Sequence, residues 1–344
     1  MEVSAASPPS VTSKSPWKQY REMMAAYQLV LTFFFMGPFF SLLLIFLLFT
    51  SLWSISVLYL VWLYLDGETP NQDGRRGDWM RNFTLWKDLR DYYPIKVMAV
   101  KTAELPPNQN YVVGSHPHVH VMCMGVICNL STVGNGFSKH FPEIQTWQAG
   151  LSGLFCFPVY RDYMMSYGAR PVNRQSLDFV LSQPQHGEAV GIVIGGAHEI
   201  LYANPGQHCL TLWKRKGFVR LALRHGASLV PVYSFGETDI FRIKAFPEDS
   251  WQFRCQMLFK KLLGFPPFIF WGRSLFLANS WGLLPFAVPI TTVVGRPIPV
   301  PRRLHPTTDE VDHDHAVYMK ALEQLFEEHK ESCGVPASTH LTFI

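Results

Sequence analysis

The chain has 344 residues, a formal net charge of only +4 and a hydrophobic content of 48%. The small charge argues against a nucleic-acid partner, and the length suits one α/β domain beside a further terminal segment. The six cysteines form no C-x-x-C pair, so they indicate reduced thiols facing the cytosol rather than a secreted disulfide scaffold.

A long apolar segment follows the Ser/Pro-rich start of the chain. Residues 1–22 are predicted to be a disordered cytosolic tail, whereas residues 23–65 contain no charged residue and no histidine. A membrane-spanning helix needs about 20 apolar residues, so the segment is long enough for two. Basic residues flank it on both sides, which favours an even number of crossings with both ends in the cytosol. We therefore predict a two-span membrane hairpin interrupted at Gly37-Pro38, with a buried hairpin of a soluble protein as the alternative.

The remaining chain alternates between strand and helix patterns. Residues 66–95 are predicted to be an interfacial linker along the membrane, and residues 96–344 to form the main domain. Buried strands alternating with helices predict an α/β fold with a mostly parallel sheet covered by helices. The predicted strands are Tyr111–Ser115, Phe155–Tyr160, Ala189–Ile194, Ser228–Ser234 and Thr291–Val294. The predicted helices are Val121–Leu130, Arg174–Ser182 with Asn173 as its N-cap, Arg215–His225, Trp251–Leu263 and His313–Glu331.

A second apolar region covers residues 262–290. Because Pro266, Pro267 and Arg273 break it, we do not predict a continuous spanning helix there. An interfacial segment, or a lipid-facing wall of the site, and ordinary protein core remain equal alternatives.

Two histidines stand at the exit of the first predicted buried strand. Pro117 ends the strand and holds His116 extended, and residues two apart on an extended backbone point the same way. His116 and His118 are therefore predicted to share one pocket. Imidazole is the side chain best suited to accept a proton near neutral pH, so His116 is a candidate general base. For this motif alone, the alternative is that both histidines are hydrogen-bonded within a turn and have no catalytic role.

A glycine pair follows the next predicted buried strand. Gly195 and Gly196 permit a close backbone approach to a ligand, and Glu199 follows them at the carboxyl edge of the sheet. Glu199 is suited to orient an imidazole or to bind a hydroxyl group. A plain strand-to-helix turn with a solvated glutamate is the alternative.

One helix carries a basic stripe. Lys216, Arg220 and Arg224 recur every fourth residue, and guanidinium groups bind phosphates through paired hydrogen bonds. The stripe is a candidate site for a phosphate-bearing cosubstrate, with lipid headgroups or solvent as alternatives. Arg161 and Arg174 are further candidates.

Several common catalytic motifs are absent from the sequence. It contains no G-x-S-x-G elbow, no Walker loop and no G-x-G-x-x-G. His116, His118 and His120 form an H-x-H-x-H pattern, but no carboxylate partner accompanies it. We therefore predict neither a metal site nor a bound cofactor.

The motifs together resemble the diacylglycerol acyltransferase type 2 family. The resemblance rests on the hairpin, His-Pro-His after a strand, Gly-Gly-x-x-Glu and RKGFVRLALRHGASLVPVYSFGE at 215–237, and runs from about residue 17 to the carboxyl terminus. It implies a glycerolipid-acyltransferase-like fold and functional roles for His116, His118 and Glu199. It also implies a multi-pass enzyme of the endoplasmic reticulum with a cytosolic active site. Oligomerisation with a second copy stays open.

The implied reaction moves an acyl group from acyl-CoA, as cosubstrate, to a monoacylglycerol or diacylglycerol hydroxyl. Long-chain alcohols are an alternative acceptor, since the family includes wax alcohol acyltransferases. His116 would take the hydroxyl proton, Glu199 or His118 would hold its tautomer, and backbone N–H groups near Gly195-Gly196 or at 117–119 would stabilise the oxyanion.

The family pattern usually continues His-Pro-His-Gly and then an apolar residue, but Val119 and His120 stand at those positions. A β-branched valine does not readily adopt the backbone angles open to glycine, so we expect slowed turnover. A non-catalytic lipid-binding protein of the same fold is the remaining alternative.

Overall fold

The computed structural model describes residues 14–100, 103–118, 122–133, 137–202, 206–263, 266–276 and 281–344. The strands are β1 (Lys96–Ala99), β2 (Tyr111–His116), β3 (Gln145–Gly150), β4 (Ala169–Pro171), β5 (Glu188–Val193), β6 (Cys209–Leu210), β7 (Ser228–Phe235), β8 (Arg242–Lys244), β9 (Ile269–Arg273), β10 (Trp281–Gly282), β11 (Thr291–Val294) and β12 (Thr342–Phe343). The α-helices are α1 (Pro16–Leu31), α2 (Gly37–Leu48), α3 (Trp53–Leu65), α4 (Asp78–Arg81), α5 (Thr84–Tyr92), α6 (Met124–Val126), α7 (Phe137–His140), α8 (Tyr160–Ser166), α9 (Arg174–Leu181), α10 (Gly217–His225), α11 (Trp251–Leu263) and α12 (Thr308–His329).

A seven-stranded sheet forms the centre, in the order β1-β11-β7-β2-β5-β3-β4. The five strands from β7 to β4 are parallel, and β11 runs antiparallel to β7. Every residue of β2 and β7 is buried, because apolar clusters cover both faces of the sheet. One cluster includes Val112, Phe218 and Tyr318, and the other includes Val113 and Leu130. The predicted α/β fold with a mostly parallel sheet is confirmed.

One predicted strand does not form, and one predicted helix begins earlier than expected. The predicted strand Phe155–Tyr160 is wrong: a 3₁₀ turn covers Ser152–Cys156 and α8 begins at Tyr160. Short apolar runs do not distinguish a strand from a buried turn, because both place apolar side chains in the core. The last long helix begins at Thr308 rather than at residue 313, since Thr307 and Glu310 form a capping box.

The amino-terminal helix continues through the predicted interruption at Gly37-Pro38, which is therefore wrong. A π-helical turn over Thr32–Met36 joins α1 to α2, so that the chain is helical from Pro16 to Leu48. The π turn changes the hydrogen-bond spacing just before Pro38, whose nitrogen has no hydrogen to donate, and the helix continues. The chain reverses after Leu48, and α3 packs back on α2, with the Ser56 hydroxyl donating to the Leu44 carbonyl at 2.9 Å.

The helix Pro16–Leu48 is long and apolar enough to cross a membrane by length and composition. The α1 part of this helix packs on the main domain, where Ala26, Leu29 and Val30 are buried in a cluster with residues of α5. Beyond it, large apolar side chains are exposed, among them Phe39, Leu42, Ile45, Phe46, Phe49, Trp53, Leu58 and Leu65. This exposure indicates membrane association. α3 has 13 residues, about 20 Å at 1.5 Å per residue, so two complete spans stay a prediction.

The second apolar region divides between core and surface. Leu284 and Ile290 are buried, whereas Leu262, Ile269, Phe276 and Trp281 are exposed. Within its described residues, 262–263, 266–276 and 281–290, no continuous spanning helix occurs. The buried residues confirm ordinary core for part of this region, and the interfacial or lipid-facing role of the exposed residues stays a prediction.

We expect tags at the amino terminus and after Asp66 both to be digested by protease added to intact microsomes. This expectation follows from α3 packing back on α2, which places both ends of the helix pair on one side, and from the basic flanks, which favour the cytosolic side. Asn82 and Asn129, which lie in N-x-[ST] sequons, should stay unglycosylated. Protease protection of either tag would contradict the hairpin topology, and permeabilised microsomes control for tag accessibility.

Candidate active site at the carboxyl edge of the sheet

The parallel strands β2 and β5 bring the predicted site residues to one edge. Ser115 pairs with Val193 in register, so His116 and the Gly195-Gly196 pair leave the sheet at neighbouring points. Glu199 lies just beyond, in the 3₁₀ segment Gly196–Tyr202. Open α/β sheets bind ligands at this carboxyl edge, because the loops leaving adjacent strands form a crevice there.

His116 is buried, and its ring contacts a tyrosine that the sequence did not single out. Its Nε2 lies 3.0 Å from the Tyr318 hydroxyl, which in turn donates to the Gly114 carbonyl at 3.1 Å. Its Nδ1 has no hydrogen-bond partner among the described residues. The expectation that Glu199 or His118 orients this ring is not met, since neither bonds to it. Burial lowers the pKa of His116 to about 3, so the imidazole is neutral at physiological pH.

His118 follows at the same edge but has different surroundings. Burial lowers its pKa to about 4, and the nearby positive charge of Arg215 adds to the shift. The Nδ1 of His118 also finds no partner in the part of the chain that the structure describes. Val119 and His120, on which the expectation of slowed turnover rests, lie outside the described residues.

Glu199 is fully buried beside the glycine pair. A Cβ on Gly195 would lie 1.2 Å from Glu199 Oε2, so only glycine leaves room for this carboxyl group. Gly196 has φ +61°, a left-handed conformation that favours glycine. Burial raises the pKa of Glu199 to about 8, against the opposing effects of the His118 and Thr211 N–H groups and the Arg215 charge. The carboxyl group is therefore mostly protonated at pH 7 and can donate a hydrogen bond.

A second buried carboxyl group lies just beyond the neighbouring strand β7. Glu237 follows the end of β7 and accepts hydrogen bonds from the Met124 and Gly125 backbone N–H groups at 2.5 and 2.9 Å. Burial raises its pKa to about 7. These bonds cap the start of α6, and the sequence motif that ends at residue 237 was the only signal for this residue.

An open groove of about 510 Å³ lies beside the site, between α9, β5 and α10. Leu177, Ile192, Ile194, Phe218 and Leu221 provide apolar lining. The basic side chains that line it are Arg174, Lys214, Arg215, Lys216, Arg220 and Arg224. Phe218 packs against Tyr318 with ring centroids 4.8 Å apart, so one aromatic layer separates the groove from the His116 partner.

The groove cations differ in their pairing. Lys216 lies 2.6 Å from Asp312, and Asp178 pairs with Arg174 at 3.5 Å and with Arg224 at 3.1 Å. Arg220 is exposed and forms no ion pair with any residue in the described ranges. Lys214 and Arg215 also line the groove, although the sequence analysis did not select them.

Arg161, another predicted contact for the cosubstrate, lies elsewhere. Its guanidinium binds the Asp66 carboxylate and backbone carbonyl at 2.6 and 2.7 Å, and it lies over the Trp62 ring. The structure therefore brings Arg174, Lys216, Arg220 and Arg224 together at the groove and separates Arg161 from them. No group of three potential metal ligands occurs among the residues that the structure describes.

The pKa of Glu199 predicts a pH-dependent stability difference. Its folded pKa of about 8 lies above the ordinary 4.5, so the folded state keeps a proton that the unfolded state loses, and stability falls as pH rises towards 8. The lowered pKa values of His116 and His118 act only below pH 6.5. Between pH 6.5 and 8, detergent-solubilised wild type should therefore lose about 2 kcal/mol more stability than Glu199→Gln.

Thermal unfolding at several pH values measures this difference. Glu323→Gln, on an exposed position of α12, is the matched control and should keep the wild-type slope. Parallel wild-type and Glu199→Gln profiles would show that the Glu199 carboxyl group is not held neutral.

Comparison with known proteins identifies the family. The model of the family described as "Diacylglycerol acyltransferase" matches residues 45–344. Human "2-acylglycerol O-acyltransferase 3" is 70% identical over 344 residues, which cover 100% of both chains. "Diacylglycerol O-acyltransferase 2" of Mus musculus is 46% identical over 94% of this chain and 83% of the relative.

Among solved structures, the 1-acyl-sn-glycerophosphate acyltransferase PlsC of Thermotoga maritima aligns with 88% of this chain and 97% of its own, at 11% identity and a TM-score of 0.36. The family match and the full-length similarity are sufficient by themselves: the chain belongs to the diacylglycerol acyltransferase family.

Proposed function

We propose that this chain transfers a fatty acyl group from acyl-CoA to the hydroxyl of 2-monoacylglycerol, forming diacylglycerol. The full-length relative at 70% identity supports this acceptor by its name. The observation that carries the proposal is a neutral, buried His116 at the carboxyl edge of the sheet, which Tyr318 and Phe218 connect to a cationic groove. Relatives named for diacylglycerol acylation support diacylglycerol as a second acceptor.

The chemistry needs no covalent enzyme intermediate, because a thioester is already an activated acyl donor. His116 accepts the proton of the acceptor hydroxyl as its oxygen forms a bond to the thioester carbonyl carbon. The C–S bond then breaks, and the departing CoA thiolate takes this proton from the imidazolium. Glu199, protonated at pH 7, is a candidate hydrogen-bond donor to the developing oxyanion, beside backbone N–H groups near Gly195-Gly196.

The groove suits the nucleotide end of acyl-CoA. Its cations match phosphate groups, and Ile192, Ile194 and Phe218 offer apolar contacts to the rest of the cosubstrate. The exposed apolar helices support a membrane location, where both lipid substrates are concentrated. We place the enzyme in the endoplasmic reticulum membrane with its site facing the cytosol, in agreement with the basic flanks of the hairpin.

Labelled acyl-CoA supplied with 2-monoacylglycerol, diacylglycerol or a long-chain alcohol tests the function. Purified wild type should acylate 2-monoacylglycerol fastest, and His116→Ala should lower that rate on the order of 10²–10⁴-fold through loss of the base. His118→Ala should be less damaging, because His118 does not hold the His116 ring. Wild type inactive with all three acceptors would support a non-catalytic lipid-binding protein. Near-normal turnover in folded His116→Ala would reject His116 as the base.

The groove is tested by removing Arg220, one of its cations that form no ion pair with any described residue. Arg220→Gln should raise the KM for acyl-CoA about tenfold, the effect of losing one charge-assisted hydrogen bond, with kcat little changed. Arg296→Gln, an exposed arginine outside the groove, is the matched control and should leave KM unchanged. Equal KM values for both variants and wild type would exclude Arg220 from the acyl-CoA site.

A further inference from the structure

Tyr318 is a buried polar group that neither the sequence motifs nor the proposed mechanism uses. It belongs to α12, far along the chain from His116, and its side chain is completely buried against Phe218. Its hydroxyl lies between two partners, the His116 Nε2 at 3.0 Å and the Gly114 carbonyl at 3.1 Å. The position of its single proton decides the tautomer of His116.

The Gly114 carbonyl can only accept a hydrogen bond, so its contact with Tyr318 requires the tyrosine proton. If that proton pointed at His116 instead, two oxygen atoms would face each other at 3.1 Å in a buried site with no hydrogen between them. With the proton on the Gly114 contact, the Tyr318 oxygen can only accept from His116. Nε2 of His116 must then carry a hydrogen.

We propose that Tyr318 is a positioning residue that fixes His116 as the Nε2–H tautomer, so that Nδ1 is the atom that accepts the hydroxyl proton. This inference rests on the proposed acyl transfer and deepens it. A neutral imidazole with a hydrogen on Nε2 has its lone pair on Nδ1, the nitrogen without a partner among the described residues.

Each step of the reaction is then assigned to an atom. Nδ1 takes the proton while the acceptor oxygen forms the new C–O bond, and the same proton passes from Nδ1 to the departing CoA sulfur as the C–S bond breaks. Nε2–H stays bonded to the Tyr318 oxygen throughout, where it stabilises the transient imidazolium. Tyr318 exchanges no proton with the substrate.

The absence of a side chain at Gly114 makes room for this contact. A Cβ on Gly114 would lie 2.0 Å from the Tyr318 hydroxyl, so a larger residue in the middle of β2 would displace the tyrosine. The glycine gap thus lets a side chain of α12 reach the backbone of a central strand. Phe218, which lines the groove, packs on the tyrosine ring and holds it from the other side.

Tyr318→Phe tests the role, because it removes only the hydroxyl. We expect kcat to fall on the order of 10–100-fold, the usual effect of losing the partner that orients an imidazole, with the KM for acyl-CoA changed less than about twofold. The matched control is Tyr92→Phe, since the Tyr92 hydroxyl is also buried and donates to the Pro285 carbonyl at 2.6 Å, in a different core cluster. The control should lose similar thermal stability and keep kcat.

The tautomer itself is measured without turnover. The ¹⁵N spectrum of histidine-labelled wild type, with the signal assigned by its absence in His116→Gln, should show a protonated Nε2 and an unprotonated Nδ1. A hydrogen on Nδ1, or a folded Tyr318→Phe with wild-type kcat, would overturn the inference while leaving acyl transfer intact. Inactive wild type would instead overturn the proposed function.

Discussion

The contact between Tyr318 and the backbone of β2 is the constraint on which the site depends. It joins α12 to the central sheet at Gly114, two residues before His116, and it requires glycine because a Cβ would lie 2.0 Å from the hydroxyl. The same hydroxyl is the partner of the His116 ring. One hydroxyl of the last long helix therefore contacts both the backbone of the central sheet and the ring of the candidate base.

Burial determines the charge state of the site. His116 and His118 have lowered pKa values and Glu199 has a raised one, so all three groups are largely neutral at pH 7. A charged group in this environment would lose its hydration without an equivalent partner. Neutrality suits a reaction between an alcohol and a thioester, in which charge develops only at the transition state and nearby hydrogen-bond donors then stabilise it.

Charge is concentrated instead where the apolar hairpin joins the body and along the groove. At the hairpin base, Asp66 binds both Arg161 and Arg75 at 2.6 Å, which fixes the end of α3 to α8. On the other side, Arg21 of α1 pairs with Asp88 of α5 at 2.5 Å. These ion pairs attach the α2–α3 helix pair, whose apolar side chains are exposed, to the main domain, whose apolar side chains are buried. Arg161 therefore has a structural partner that its position in the sequence did not reveal.

The sequence alone determined the parallel sheet, the apolar amino-terminal helix and the residues at the strand ends, because continuous apolar runs, charge-free segments and glycine or proline breaks are local signals. It predicted Thr291–Val294 and Trp251–Leu263 with their observed bounds. It did not predict β3, whose Gln145 and Gln148 interrupt the apolar pattern, or the continuous helix through Gly37-Pro38. Only the tertiary structure decided that the His116 ring contacts Tyr318 rather than Glu199 or His118. It also decided that Arg161 pairs with Asp66 and lies away from the groove. These partners are distant in sequence, and side chains so far apart meet only when helices pack on the finished sheet.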